Sequence, residues 1–170
     1  MKRILLSTLL LFIPTSAFAD IFTDVETGVT IELPDGWKIP EHQDYGYMVS
    51  SPKSHFGISL KLVNLKSKNL WEAVNGMIEN FEITSTREGS RAPHRVIMVT
   101  PFETKSGVTG MRVISGNIDE GKTHLPNVFH YVFENKAGKL VCACLFASSG
   151  IRTAEAADQL VLQNLTLVEP

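Results

Sequence analysis

The stretch Lys139-Leu140-Val141-Cys142-Ala143-Cys144-Leu145-Phe146-Ala147 decides the fold, because apolar side chains occupy both faces of one predicted strand. One face would carry Leu140, Cys142, Cys144 and Phe146, and the other would carry Val141, Ala143, Leu145 and Ala147. A half-exposed strand alternates apolar with polar residues, whereas a strand covered on both sides does not. The stretch therefore predicts a strand near the middle of a sheet, with other structure packed on each side.

The rest of the chain supplies neighbours for that strand. Alternating patterns and short apolar runs between turn residues predict strands at 22–25, 29–33, 46–50, 56–63, 83–88, 95–103, 108–118 and 127–134. Gly107, Gly121 and Gly138 lie in short connections, so neighbouring strands are expected to pair antiparallel. Pro101 lacks the amide hydrogen that a strand ladder needs, which predicts an edge position or a bulge for its strand.

Two segments show helical rather than strand periodicity. Apolar residues recur every three or four positions from 70 to 82, and we expect Trp71 to be buried with them in the core. Asn69 is placed to cap the first turn, with Glu72 three residues on. A second helix is predicted at roughly 153–164. Two helices separated by a meander of strands predict an α+β fold, an α/β/α sandwich with helices packed on both faces of one antiparallel β-sheet.

Residues 1–19 have the three parts of a secretory signal peptide. A basic start, Met1-Lys2-Arg3, precedes an apolar run from 4 to 13 and a small-residue triplet, Ala17-Phe18-Ala19. The sequence therefore predicts cleavage after Ala19 and a periplasmic or secreted protein. The apolar run is shorter than the about 20 residues that span a bilayer, so no membrane span is predicted.

The segment that would remain after cleavage, 20–170, is expected to form a single globular domain. It begins at Asp20 with no cysteine nearby, so no lipid anchor is predicted. Loss of Lys2 and Arg3 reduces 16 basic residues to 14 against 18 acidic ones, a net charge of −4. Because no block of basic residues is present to displace phosphate counterions, the chain is not expected to bind nucleic acid.

Cys142 and Cys144 are the only cysteines. Residues two apart in a strand point to the same side with Cα atoms roughly 6.5–7 Å apart, at the outer limit for an unstrained disulfide. We expect two reduced cysteines in the core, because free cysteine is among the most buried residue types. The alternative is a thiol redox or metal-binding pair, although the spacing differs from the Cys-x-x-Cys of redox helices.

The order of elements resembles that of the PsbP-like fold family. The resemblance rests on the Phe22-Thr23-Asp24 hairpin, the turn Leu33-Pro34-Asp35-Gly36-Trp37, one helix after the early strands, a long antiparallel meander, and a closing helix followed by Leu165-Thr166-Leu167-Val168. The family includes the extrinsic photosystem II subunit, a yeast nuclear-import factor that binds the Ran GTPase, and many small exported bacterial proteins. The resemblance implies a non-enzymatic accessory or binding module, with no catalytic residues to carry over.

Residues capable of catalysis or metal binding are scattered along the chain. The five histidines are His42, His55, His94, His124 and His130. They lack the spacing of a local chelate, so neither a metal nor a cofactor is predicted. Ser148 and Ser149 come nearest to the exposed turn that a nucleophilic serine needs. Asp119 and Glu120 are expected to be solvated loop charges, and the glycine-containing stretch 107–110 is expected to be a hairpin.

Aromatic residues offer the best candidates for a binding surface. Trp37, Tyr45 and Tyr47 surround a segment with the composition of a loop, where exposed aromatic side chains would contact a protein partner. The alternative is that Trp37 and Tyr47 cover an open end of the sheet.

The leading functional hypothesis is an exported, non-enzymatic binding or accessory protein that acts through contacts with an unidentified protein partner. A chaperone, an immunity protein or an envelope assembly factor would each fit. The alternative is a small exported hydrolase whose site is assembled from residues distant in sequence, such as a histidine with Ser148 or Ser149.

Overall fold

The computed structural model of the chain describes residues 20–34, 36–43, 46–50, 57–87, 94–117, 125–147, 155–156 and 158–169. These residues form strands β1 (Ile21–Asp24), β2 (Val29–Glu32), β3 (Lys38–Gln43), β4 (Gly46–Ser50) and β5 (Gly57–Asn64), helix α1 (Leu70–Arg87), and strands β6 (His94–Glu103), β7 (Thr109–Asn117), β8 (Leu125–Glu134), β9 (Leu140–Ala147) and β10 (Leu165–Leu167). A π-helical segment (Gln159–Gln163) precedes β10. No helix in these ranges is long and apolar enough to cross a membrane.

The strands form two antiparallel sheets. The larger has seven strands in the order β3-β4-β5-β9-β8-β7-β6, and the smaller has three in the order β1-β2-β10. Strand β9 is the fourth of seven, so the central position predicted from its two apolar faces is confirmed. Strand β6 lies at an edge, as Pro101 predicted, and its register shifts between Val96 and Met98.

The two faces of β9 belong to two separate apolar clusters. On one face, Val141, Ala143 and Leu145 join the larger cluster, which also contains side chains of the small sheet and of the π-helical segment. On the other face, Cys142 and Cys144 join a smaller cluster, against which α1 packs. Each face is thus covered by a different kind of structure.

The predicted sandwich with helices on both faces is wrong. Helix α1 covers one face, but the three-stranded sheet covers much of the other, with Val29 and Ile31 of β2 buried against it. Of the predicted helix at 153–164, all described residues are helical, with α-helical geometry at 155–156, 158 and 164 and a π-helical segment at Gln159–Gln163. Alternation in the 22–33 hairpin identifies strands but not the sheet they join, and here β2 pairs with β10 from the far end of the chain.

Polar contacts connect the two sheets at the turn between β1 and β2. The Nδ2 group of Asn135 donates to the Thr27 carbonyl at 2.9 Å, and that of Asn64 donates to the Glu26 carbonyl at 3.1 Å. Inside the turn, the Thr27 hydroxyl donates to the buried Asp24 carboxylate at 2.7 Å. Side-chain amides from β5 and from the β8–β9 turn therefore bind backbone oxygens of the β1–β2 turn.

Helix α1 begins as predicted but ends later. The Glu72 amide donates to Asn69 Oδ1 at 2.9 Å, and the Glu72 carboxylate accepts from the Lys68 amide at 2.7 Å, which confirms the predicted cap. The strand predicted at 83–88 is wrong, because α1 continues to Arg87. The β-branched residues in that stretch favour a strand by intrinsic propensity, but propensity is a weak determinant that a continuing helix overrides.

The expected burial of Trp71 is also wrong, since 63% of it is exposed. The face of α1 that packs on the sheet is centred on Ala73 and Val74, both buried. With about 100° between successive residues, Trp71 projects to the side of that face. Trp71 therefore has apolar spacing along the helix without being part of the buried stripe.

Strand β3 was not predicted. Its sequence contains Pro40, which favours a loop over a strand. In the structure β3 lies at the edge of the large sheet, and its register with β4 shifts between Lys38 and Glu41. An edge strand with an irregular register accommodates the missing amide hydrogen of proline.

We predict opposite effects on stability for two glycine-to-alanine substitutions. A Cβ at Gly110 would lie 2.1 Å from the carbonyl oxygen of Val132, whereas a Cβ at Gly76 would have nothing within 4 Å. Gly110→Ala should lower the free energy of unfolding by about 2–3 kcal/mol, because backbone must move. Gly76→Ala, in the interior of α1, should raise it by about 0.5–1 kcal/mol through helix propensity. Urea denaturation measures both, and equal effects would contradict the strand packing described here.

Candidate functional site

An open groove lies at one end of the molecule, where α1 begins and where the β6–β7 and β8–β9 turns project. Its volume is about 1090 Å³. The groove is lined by Leu70, Pro101, Phe102, Glu103, Ser106, Gly107, Val108, Thr109, Gly110, Phe133, Glu134, Lys136, Thr166 and Leu167. Residues from both sheets and from α1 therefore meet around one concave surface.

Aromatic rings pack beneath the groove, where Phe102 and Phe133 are both buried. The Phe102 ring packs edge-to-face against the Phe133 ring, with centroids 6.3 Å apart, and against the Tyr131 ring at 5.4 Å. Gly110 lies between Phe102 and Phe133 in the strand register, and it has no side chain to separate them. The edge-to-face geometry is the favourable arrangement for aromatic pairs, so this surface is apolar and well packed.

The β6–β7 turn forms one wall of the groove. The Thr104 amide donates to the Val108 carbonyl at 2.8 Å, and the Gly107 amide donates to the Thr104 carbonyl at 2.9 Å. Gly107 has a φ of 85°, a conformation that glycine adopts without strain. The hairpin predicted for 107–110 is confirmed. Because these hydrogen bonds between backbone groups of the turn fix its conformation, the turn presents a defined surface to the groove.

The same turn is bonded to the C-terminal segment that forms the facing wall. The Lys105 amide donates to the Leu162 carbonyl at 2.7 Å, and the Ser106 hydroxyl donates to the Leu165 carbonyl at 2.7 Å. Strand β10 is an edge strand of the small sheet. The Leu165 carbonyl, which binds Ser106, points away from β2. Backbone groups two residues apart in a strand point to the same side, so the amide and carbonyl groups of Leu167 also point away from β2.

A partly buried polar cluster holds the C-terminal segment against the large sheet. Asp158 accepts hydrogen bonds from Arg112 Nη1 at 2.8 Å to each carboxylate oxygen, and from the Tyr131 hydroxyl. Arg112 Nε also donates to the Thr100 hydroxyl at 3.3 Å. Burial and the contact with Asp158 raise the pKa of Tyr131 well above its ordinary value, and Arg112 opposes this shift. Tyr131 is therefore a hydrogen-bond donor at neutral pH.

The outer rim of the groove is charged. Glu103, Glu134 and Lys136 are exposed there. The groove thus combines an apolar inner surface, a strand edge and charges of both signs, which are the elements by which proteins bind extended peptide segments.

Of the predicted aromatic binding residues, only Trp37 has a described side chain, and it is not among the residues that line this groove. Trp37 is half-buried and packs against the larger apolar cluster, and its amide donates to the Pro34 carbonyl at 2.9 Å. Tyr47 lies in β4, opposite Leu60 of β5, and its side chain is not among those described. Tyr45 lies outside the described residues. Their contact with a partner stays a prediction.

Most of the candidate catalytic residues lie outside the described part of the chain, namely His55, His124, Ser148, Ser149, Asp119 and Glu120. The backbones of His42 and His94 lie in β3 and β6, without described side chains. His130 lies in β8, paired with Val113 and Cys144. Within the described ranges, no three His, Cys, Asp or Glu side chains are grouped closely enough to hold a metal ion.

The two cysteines are free and buried, as expected for reduced core residues. Burial raises the pKa of the Cys144 thiol to about 12, and the positive charge of Lys61 opposes this shift. Burial also raises the pKa of Cys142, with a smaller contribution from the nearby Cys144. Both thiols are therefore protonated at neutral pH.

One feature of the sequence indicates the polar cluster. Arg112 follows Met111 and precedes Val113 in a predicted strand, at a position facing inward toward the larger apolar cluster. A charged residue at an inward position requires a partner of opposite charge or a hydrogen-bond acceptor. The partner, Asp158, is 46 positions away in sequence, so pairing could not be assigned without the fold.

Neither a protein-family model nor a curated protein sequence matches the chain. Among solved structures, the chain is similar to the solution structure of cyanobacterial PsbP (CyanoP) from Synechocystis sp. PCC 6803, with a TM-score of 0.62. The match covers 91% of this chain and 96% of that one at 13% sequence identity. The chain has a PsbP-like fold. The resemblance seen in the order of elements is confirmed at the level of fold.

Substitution of Tyr131 should reveal its raised pKa in the pH dependence of stability. The folded state keeps the phenolic proton to higher pH than the unfolded state, where the pKa is near 10. Tyr131 therefore contributes stability in full below about pH 10, and this contribution decreases as the pH rises further. The advantage of the wild type over Tyr131→Phe should shrink by about 1 kcal/mol between about pH 9 and pH 11 in urea denaturation. A difference that is constant over this range would contradict the assignment.

Proposed function

We propose that the chain is an exported accessory protein that binds a protein partner through the groove and performs no chemistry of its own. The groove is the observation that carries this proposal. Its half-buried apolar residues, Leu70, Val108 and Leu167, supply apolar contact, and the outward-facing backbone groups of Leu167 at the edge of β10 can bind the backbone of an extended segment. The rim charges would then select the partner's sequence.

The leader and the fold support the same proposal. Residues 1–19 have the pattern of a cleaved signal peptide, which would place the remainder outside the cytoplasm. The PsbP-like fold is shared with proteins of accessory role, although fold alone does not fix function. A chaperone, an immunity protein and an envelope assembly factor all act by such contacts, and the identity of the bound partner distinguishes them.

A second contact surface around Trp37, Tyr45 and Tyr47 remains part of the proposal. Trp37 is half-buried, which leaves part of its indole ring at the surface. Trp and Tyr are enriched among residues that dominate binding energies at interfaces. No contact among the described residues favours the hydrolase hypothesis.

Blocking the groove should abolish partner capture. Thr109 is exposed and lines the groove, whereas Thr23 is an exposed threonine in β1 of the small sheet. Thr109→Arg should fill part of the groove and lower recovery of the partner by about tenfold, the effect of losing about 1.4 kcal/mol. Thr23→Arg is the matched control and should leave recovery unchanged. Affinity capture from the native envelope with quantitative mass spectrometry measures both.

Two results would contradict the groove as the binding site. The first is equal recovery of the partner with wild type and Thr109→Arg. The second is a loss with Thr23→Arg of the same size as the loss with Thr109→Arg.

Export should yield a mature N-terminus at Asp20. In a bacterial host that secretes the chain, intact-mass measurement of the released protein should show loss of residues 1–19. Ala19→Arg should block cleavage, because the signal peptidase site requires small residues. A full-length protein found in the cytoplasm would contradict the proposed localisation.

A further inference from the structure

Two carboxylates of the groove have no charged partner among the described residues. Glu103 and Glu134 both line the groove and are exposed. Within the described ranges neither side chain has a hydrogen bond or an ion pair, and the ion pair that is present joins Arg112 to Asp158. Of the described residues that line the groove, Lys136 alone is basic, so acidic groups outnumber basic ones around it.

The strand register places these carboxylates on either side of one threonine. Glu103 of β6 is paired with Thr109 of β7. The β7–β8 ladder ends at Gly110 and Phe133, so Thr109 and Glu134 are the next residues on the two strands. Adjacent strands lie about 4.8 Å apart, which separates the Cα atoms of Glu103 and Glu134 by roughly 10 Å. A positive side chain that enters above Thr109 would therefore meet a carboxylate on each side.

Each carboxylate precedes a tight turn that a buried polar residue fixes. Thr104 follows Glu103 and is 3% exposed, and its hydroxyl accepts from an amide of the β6–β7 turn at 3.0 Å. Asn135 follows Glu134 and is 5% exposed, and its Oδ1 accepts from two amides of the β8–β9 turn at 3.1 and 2.9 Å. The backbone positions of both carboxylates are therefore set before binding, which lowers the ordering cost of an interaction.

The rest of the lining suits the neighbours of a basic residue in an extended segment. Leu70, Val108 and Leu167 are half-buried and apolar. In an extended segment every second side chain points to the same side. A basic side chain between the carboxylates would therefore be accompanied by apolar side chains two positions before and after it. An acidic residue at the same place would be repelled by both carboxylates.

We propose that the groove binds an extended segment of a protein partner in which a lysine or arginine has apolar residues two positions away on each side, and that Glu103 and Glu134 select the basic residue. This inference rests on the proposed function, because it names the chemistry of the partner for the same groove. A lysine has three N–H donors and an arginine has five, so either can bond to both carboxylates. Exposed ion pairs are individually weak, so the selection is expected to be about tenfold rather than absolute.

Binding of four synthetic peptides tests the inference. Each is a fluorescein-labelled nonapeptide of alternating valine and threonine, with lysine, arginine, glutamine or glutamate at the centre and valine two positions away on each side. Fluorescence anisotropy with the purified protein at low salt should show the lysine and arginine peptides binding about tenfold more tightly than the glutamine peptide, which corresponds to about 1.4 kcal/mol. The glutamate peptide should bind most weakly. Raising the salt concentration should reduce the preference, because exposed charges are screened.

Two double variants of equal charge show whether the groove carboxylates make the selection. Glu103→Gln combined with Glu134→Gln should reduce the preference for the lysine peptide over the glutamine peptide to less than about twofold. Glu26→Gln combined with Glu32→Gln removes two exposed carboxylates that do not line the groove, and it should keep the tenfold preference. All four side chains are exposed, so both double variants should fold.

The basic segment is overturned if the lysine and arginine peptides do not bind measurably, if the lysine peptide binds no more tightly than the glutamine or glutamate peptide, or if the two double variants lose the preference equally. The groove is tested separately by Thr109→Arg. If the lysine and glutamine peptides bind equally and Thr109→Arg weakens both, the groove stands and the basic segment is wrong. Partner capture that Thr109→Arg leaves unchanged would instead contradict the proposed function.

Discussion

The structure depends on the need to cover both faces of β9. A strand with one apolar face can leave the other in water, but β9 is buried on both faces from Leu140 to Leu145. Helix α1 meets this requirement on the cysteine side, and the small sheet with the π-helical segment meets it on the side of Val141, Ala143 and Leu145. Burial of a Val- or Leu-sized side chain contributes about 1.5–3 kcal/mol, so neither cover can be lost without unfolding the centre of the sheet.

The cover on the second face requires the two ends of the described chain to meet. Strand β10 pairs with β2, and the segment before it is held by Asp158 through Arg112 and Tyr131. Backbone and side-chain bonds from the β6–β7 turn complete the attachment. The groove is a consequence of this closure, because it lies where the turn and β10 meet over the aromatic rings. A candidate binding surface thus occupies the junction between the sheets.

The sequence predicted those features that depend on local pattern. The two-sided apolarity of β9, the edge position required by Pro101 and the cap at Asn69 were all assigned correctly, since each follows from the chemistry of nearby residues. Assignment failed where distant partners decide the outcome. Alternation in β2 does not reveal that β10 is its neighbour, and the groove exists only after that pairing. Trp71 was misplaced because one apolar residue beside a stripe satisfies the pattern without joining the core.

A fold specified by alternation tolerates wide variation in sequence, which accounts for similarity to CyanoP at 13% identity. Many apolar residues of suitable volume fill a core, so the core constrains residue type more than identity. Residues that depart from the alternating apolar pattern have structural requirements that are specific to this chain. Gly110 permits close approach of Val132, and Arg112 needs Asp158. Such exceptions, rather than the shared framework, are where function specific to this chain would arise.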